Sequence, residues 1–153
     1  VIERLRALEF HKRGIDPEPI LRRKESYIRF HRTKAKRLVE AKEQFPVIEE
    51  QLRSGVGSCE MRDWLVRNVN GLGWKEASHF LRNIGHRDLA ILDRHILKNL
   101  VRVGAVSTVP RALSAKRYAA IEKRFFLFAS VVGIPMDELD LLFWSRETGE
   151  ILK

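Results

Sequence analysis

Apolar residues recur at helical spacing along almost the whole chain, and they rarely alternate as a half-buried strand requires. Ala77, Phe80, Leu81 and Ile84 share one helix face, as do Tyr118, Ile121, Phe125, Phe128 and Val132. This pattern predicts an all-α fold. At 153 residues the chain can build one core and is too short for two ordinary domains, so a single helical domain over 1–153 is expected.

Turn and cap residues place the boundaries. A basic amphipathic helix is expected from Tyr27 to Phe45, with Ala35, Leu38, Val39 and Phe45 on one face. Gly55 and Gly57 mark a loop, and Ser58 reads as the N-cap of a helix carrying Trp64, Leu65 and Val69. Leu89 to Leu92 is too brief for more than a buried lead-in to a helix through Ile96, Leu97, Leu100 and Val101. Ser114 caps a long helix. Pro135 opens the last one, with Asp137 and Glu138 in its first turn, and a turn and short extended end are expected beyond Glu147.

Two features narrow the function. The net charge is +9, which suits a polyanionic partner such as nucleic acid. The lone cysteine, Cys59, excludes an internal disulfide and any cysteine-ligated cluster, and it fits a reducing cytoplasm, where a DNA-binding chain would be nucleoid-associated. His31, His79, His86 and His95 have no metal-site spacing, so neither metal nor cofactor is expected. The longest apolar stretch, Phe125 to Met136, is interrupted by Gly133 and Pro135 and is too short for a bilayer, so no membrane partner is expected.

The most informative stretch is Asn68-Val69-Asn70-Gly71-Leu72-Gly73-Trp74-Lys75. Two amphipathic helices flank Gly-Leu-Gly, forming a helix-hairpin-helix pattern over about residues 59–85. Glycines there permit positive φ and bare the backbone, and the amides at the following helix N-terminus make a phosphate seat at Gly71 and Gly73. An ordinary tight turn would read the same way. Lys75 opens the second helix. A lysine amine can attack the sugar carbon of a flipped nucleotide, expel the base and remain as a Schiff base. Attack requires the neutral amine, which the positive end of a helix favours over the ammonium. The alternative is a surface lysine touching phosphate. Asp93, eighteen positions later in Ile91-Leu92-Asp93-Arg94-His95-Ile96, sits among apolar residues. A carboxylate there could stabilise positive charge on the sugar, cap the next helix, or do both.

Gly71-Leu72-Gly73-Trp74-Lys75 together with Leu92-Asp93-Arg94-His95-Ile96 resembles the signature of bifunctional glycosylase/lyases of the endonuclease III superfamily. Lys75-Glu76-Ala77-Ser78-His79-Phe80-Leu81-Arg82-Asn83, the preceding Trp64-Leu65-Val66-Arg67-Asn68 and the ending Thr148-Gly149-Glu150-Ile151-Leu152-Lys153 are similar to the archaeal and thermophilic type of 8-oxoguanine DNA glycosylase/AP lyase. The resemblance runs from about Arg29 onward. It implies the glycosylase fold, with N-terminal helices of the family preceding this chain. It also implies that Lys75 and Asp93 are catalytic, and that the partner is double-stranded DNA carrying 8-oxoguanine or abasic sites, bound by a monomer. Phe30 and Trp144 are implied to flank the base, and Lys153 to take part in recognising the lesion. A terminal lysine offers an ammonium and a carboxylate together, and an acceptor at N7 would favour 8-oxoguanine, which is protonated there. A frayed tail is the alternative. Arg22 to Arg37 holds eight Lys/Arg against one acid, Glu25, and reads as a phosphate-tracking face that includes Arg32 and Lys34. Two rival functions stay open: a glycosylase for another damaged or mispaired base, and a non-catalytic DNA-binding module, which would leave Asp93 without a task.

Overall fold

The computed structural model describes residues 1–149. Its α-helices are α1 (Ile2–Ala7), α2 (Glu18–Leu21), α3 (His31–Glu43), α4 (Phe45–Arg53), α5 (Ser58–Asn68), α6 (Trp74–Asn83), α7 (Arg94–Arg102), α8 (Ala115–Val132) and α9 (Met136–Thr148), with a 3-10 turn at Lys24–Ser26. No strand occurs among the described residues, in agreement with the all-α expectation. None of these helices is long and apolar enough to cross a membrane. The chain forms two compact units. One comprises Val1–Val56 with Arg67–Gly71; the other comprises Gly57–Val66 with Leu72 onward.

In the first unit α2 and α4 pack on α3, and Ile20, Leu21, Ala35 and Ile48 are buried. Lys42 ties the N-terminal segment down: its Nζ donates to the Phe10 carbonyl at 2.9 Å and the Lys12 carbonyl at 2.8 Å, and lies 4.3 Å from the Phe10 ring centre. The helix expected from Tyr27 begins only at His31, because Phe30 takes a left-handed conformation (φ 61°, ψ 35°) that α-helix cannot continue. It also stops earlier. Pro46 has no N–H to donate, so it ends the pattern and sits instead in the first turn of α4. Phe45, expected on the buried face of the basic helix, therefore belongs to α4 and is exposed.

In the second unit α7, α8 and α9 enclose the core of Leu92, Ile96, Leu100, Tyr118, Ile121, Phe125, Leu139 and Phe143. Phe125 and Phe143 stack at 5.9 Å between ring centres. Burying a side chain of this size contributes about 1.5–3 kcal/mol. Ser114 caps α8 as expected, accepting from the Arg117 amide. Ser58 does not cap α5. Gly57 takes that place, its carbonyl accepting from the Met61 amide at 2.9 Å, while the Ser58 hydroxyl shares a hydrogen bond with His86 Nδ1. Ile84 and Val132, expected on apolar faces, fall at helix ends and are exposed.

Candidate active site

The hairpin turn follows α5. Gly71 has φ +97°, a conformation that favours glycine, and a Cβ there would lie 2.5 Å from Arg37 Cδ. Gly73 differs from expectation: its φ of −84° is open to any residue. It is the N-cap of α6, and it makes no side-chain bond to the helix. The first amides of α6 therefore have no intrahelical acceptor and present a seat for an anion.

Lys75 stands in that first turn. Its Nζ is 3.3 Å from Glu76 Oε1, and both side chains are about half exposed (45% and 50%). A pair this open is worth at most about 1 kcal/mol, so parting it to free the amine is cheap. Asp93 is the N-cap of α7. One oxygen, Oδ1, accepts from the His95 amide at 2.7 Å and the Ile96 amide at 2.8 Å. Among the described residues Oδ2 has no hydrogen-bond partner, so capping leaves half of the carboxylate free for other chemistry.

The extended lead-in, Leu89 to Leu92, is buried apart from a half-buried Ile91, and side chains satisfy its backbone. Glu122 Oε1 accepts from the Ala90 amide at 2.8 Å, and Asp140 Oδ2 accepts from the Ile91 amide at 3.2 Å. The Tyr118 hydroxyl donates to the Ala90 carbonyl at 2.6 Å and accepts from the Leu92 amide at 3.3 Å. Glu122 in turn receives both terminal nitrogens of buried Arg62, at 2.5 and 2.7 Å. Arg62 Nη1 also donates to Ser78 Oγ at 3.2 Å, and the guanidinium lies 4.9 Å from the Trp74 ring centre and 5.4 Å from that of Tyr118. Removing one partner from such a buried pair costs about 3–5 kcal/mol, because it strands the other charge. Burial pushes the Asp140 carboxyl up to about 6, against the opposing pull of Arg82, whose Nη1 lies 2.5 Å from Oδ2; nearby Asp93 pushes it further the same way.

None of this network was anticipated from the sequence. The available signal was a charge on each buried stripe: Arg62 three residues before Leu65, and Glu122 three before Phe125.

A profile of the family described as 8-oxoguanine DNA glycosylase matches residues 15–134. The chain belongs to this family. Like other 8-oxoguanine DNA glycosylase family members it has the all-α helix-hairpin-helix fold, as the resemblance implied. It is 42% identical over 132 residues to the 8-oxoguanine DNA glycosylase/AP lyase of Fusobacterium nucleatum, covering 82% of this chain and 61% of that protein. With the Methanocaldococcus jannaschii protein of the same name it shares 41% identity over 125 residues, 82% of this chain and 60% of that one. The chain thus spans about three fifths of the length of these curated relatives. The crystal structure of the M. jannaschii 8-oxoguanine DNA glycosylase superposes with a TM-score of 0.83 at 34% identity, covering 99% of this chain and 71% of that one. The complex of that glycosylase/lyase with a 15mer DNA containing 8-oxoguanine gives 0.79 at 39% identity, covering 89% and 64%.

Lys75, Asp93 and Trp144 belong to the second unit, Phe30, Arg32, Lys34 and Gly71 to the first. Phe30 is 63% exposed, and the Arg29 guanidinium lies over its ring, 4.5 Å from the ring centre. Arg32 and Lys34 are exposed on α3. Trp144 is half-buried on α9. Lys153 lies outside the described residues. A cationic feature not anticipated from the sequence lies in the second unit, where Arg111, Arg117 and Arg124 line an open cleft of about 530 Å³ with Ser107 and Thr108.

Proposed function

We propose that this chain carries the catalytic core of a bifunctional 8-oxoguanine DNA glycosylase/AP lyase acting as a monomer on duplex DNA. The observation that supports this best is the presence, in one compact unit of a chain of this family, of Lys75 in the first turn after the hairpin and of Asp93 as a cap with one oxygen free of hydrogen bonds among the described residues. In the proposed reaction the hairpin amides hold a phosphate, with Arg32 and Lys34 following the backbone. The lesion nucleotide is extruded; the Phe30 and Trp144 rings each offer a face for its base, and Lys153 offers polar groups for its edge. The Lys75 amine attacks C1′ and the C1′–N9 bond breaks, the purine leaving with its electron pair and taking up a proton. Asp93 Oδ2 stabilises the cationic sugar as that bond opens. The sugar ring then opens to a Schiff base on Lys75. Loss of a C2′ proton expels the 3′ phosphate by β-elimination, and water releases the amine.

Base release from a panel of duplexes tests the specificity. 8-Oxoguanine is expected to be excised well ahead of oxidised pyrimidines and of adenine opposite a lesion. Preferential release of one of those bases would move the chain to another specificity within the superfamily.

A further inference from the structure

Arg62 and Glu122 occupy a place that packing alone does not explain. Arg62 touches α6 at two points, Ser78 Oγ and the Trp74 ring, and Trp74 is the chain neighbour of Lys75. Through the fork to Glu122 it reaches the Ala90 amide, three residues before Asp93. The helix that carries the lysine and the segment that carries the aspartate are thus tied to one guanidinium–carboxylate pair, 2% and 9% exposed. Tyr118 fixes the same segment from the other side, holding both the Ala90 carbonyl and the Leu92 amide. A pair of helices packed only through apolar contacts can slide by fractions of an ångström. A bidentate guanidinium–carboxylate fork fixes both distance and orientation.

We infer that Arg62 and Glu122 are positioning residues that set Lys75 against Asp93, with Tyr118 as their support. The inference rests on the proposed roles of Lys75 and Asp93. It requires no contact between the pair and DNA, so it concerns the chemical step and leaves binding unaffected. Misplacing reacting groups by about 1 Å can cost on the order of a hundredfold in rate.

The test is single-turnover base release and abasic-site cleavage, set beside affinity for an uncleavable abasic analogue, each measured well below the melting temperature of the variant. The double variant Arg62→Met with Glu122→Gln strands no buried charge, and the introduced amide retains an acceptor oxygen for the Ala90 N–H. It should bind the analogue within about twofold of wild type while both rates fall on the order of a hundredfold. Tyr118→Phe deletes one oxygen and leaves the ion pair intact; it should slow the same steps by about tenfold and serves as the probe if the double variant does not fold. Rates within about threefold of wild type in the folded variants, or a loss confined to affinity, would overturn the inference. Asp93→Asn is run alongside. If it too keeps the wild-type rate, the reading of Asp93 has failed; if it is slow while the network variants are fast, only the positioning role has failed.

Discussion

At Asp93 the observed cap and the proposed catalytic duty can be parted, because both capping bonds use one oxygen. Both capping bonds fall on Oδ1, so an asparagine oxygen can replace them while the charge disappears. Asp93→Asn is expected to keep its melting temperature and lose turnover by orders of magnitude. Asp93→Ala loses the cap as well, at a cost of about 1 kcal/mol in stability. Thermal melts beside single-turnover rates decide it, and equal melting temperatures for the two variants would refute the capping role. The places of Lys75, in the first turn after the hairpin, and of Asp93, as a helix cap, were legible in the sequence because their signals are local: a lysine after a glycine turn, and a carboxylate among apolar residues ahead of a helix. Glu122 and Arg62 were not, because their partnership spans sixty residues of chain and nothing near either one names the other.

Among the helices, the hairpin and the α9 contacts give contrasting tests. Gly71→Ala forces a side chain into φ +97° and against Arg37, and should lower stability by about 1–2 kcal/mol. Gly73→Ala meets only the end of the Glu76 side chain, at 2.9 Å and at an ordinary φ, and should cost only about 0.5 kcal/mol, the loss of a better N-cap residue. Equal losses in urea melts would contradict this asymmetry. Asp140 links α9 to the lead-in of α7, and its carboxyl titrates near 6 in the folded state against 3.8 ordinarily. The folded state therefore holds this proton more tightly than the unfolded chain. The stabilisation is complete below about pH 3.8 and is lost as pH rises to about 6. Relative to Asp140→Asn, wild-type stability should fall across that window by on the order of 3 kcal/mol. A flat difference would show that Arg82 fully offsets the burial. Periodicity made α3 and the helices from α5 onward readable, whereas α1, α2 and α4, short or opening at Pro17 or Pro46, were not singled out. The boundaries that differed, at Phe30, Phe45 and Ser58, were set by a left-handed residue, a proline and a competing histidine.

For the whole molecule the governing quantities are net charge and the tie between lysine and aspartate. A net charge of +9, with cations on α3 and around the Arg117 cleft, predicts that binding to undamaged duplex weakens about a hundredfold or more between roughly 50 and 200 mM salt. Arg32→Ala and Lys34→Ala should each lower the salt slope by about one, and an unchanged slope would remove α3 from the DNA face. In the proposed reaction Lys75 is the amine that attacks the sugar. Borohydride trapping on a duplex containing 8-oxoguanine measures this directly. Wild-type protein should become covalently linked to the DNA, and Lys75→Gln should bind the same duplex and form no link. A link of undiminished yield in Lys75→Gln would assign the chemistry to another amine and contradict the account.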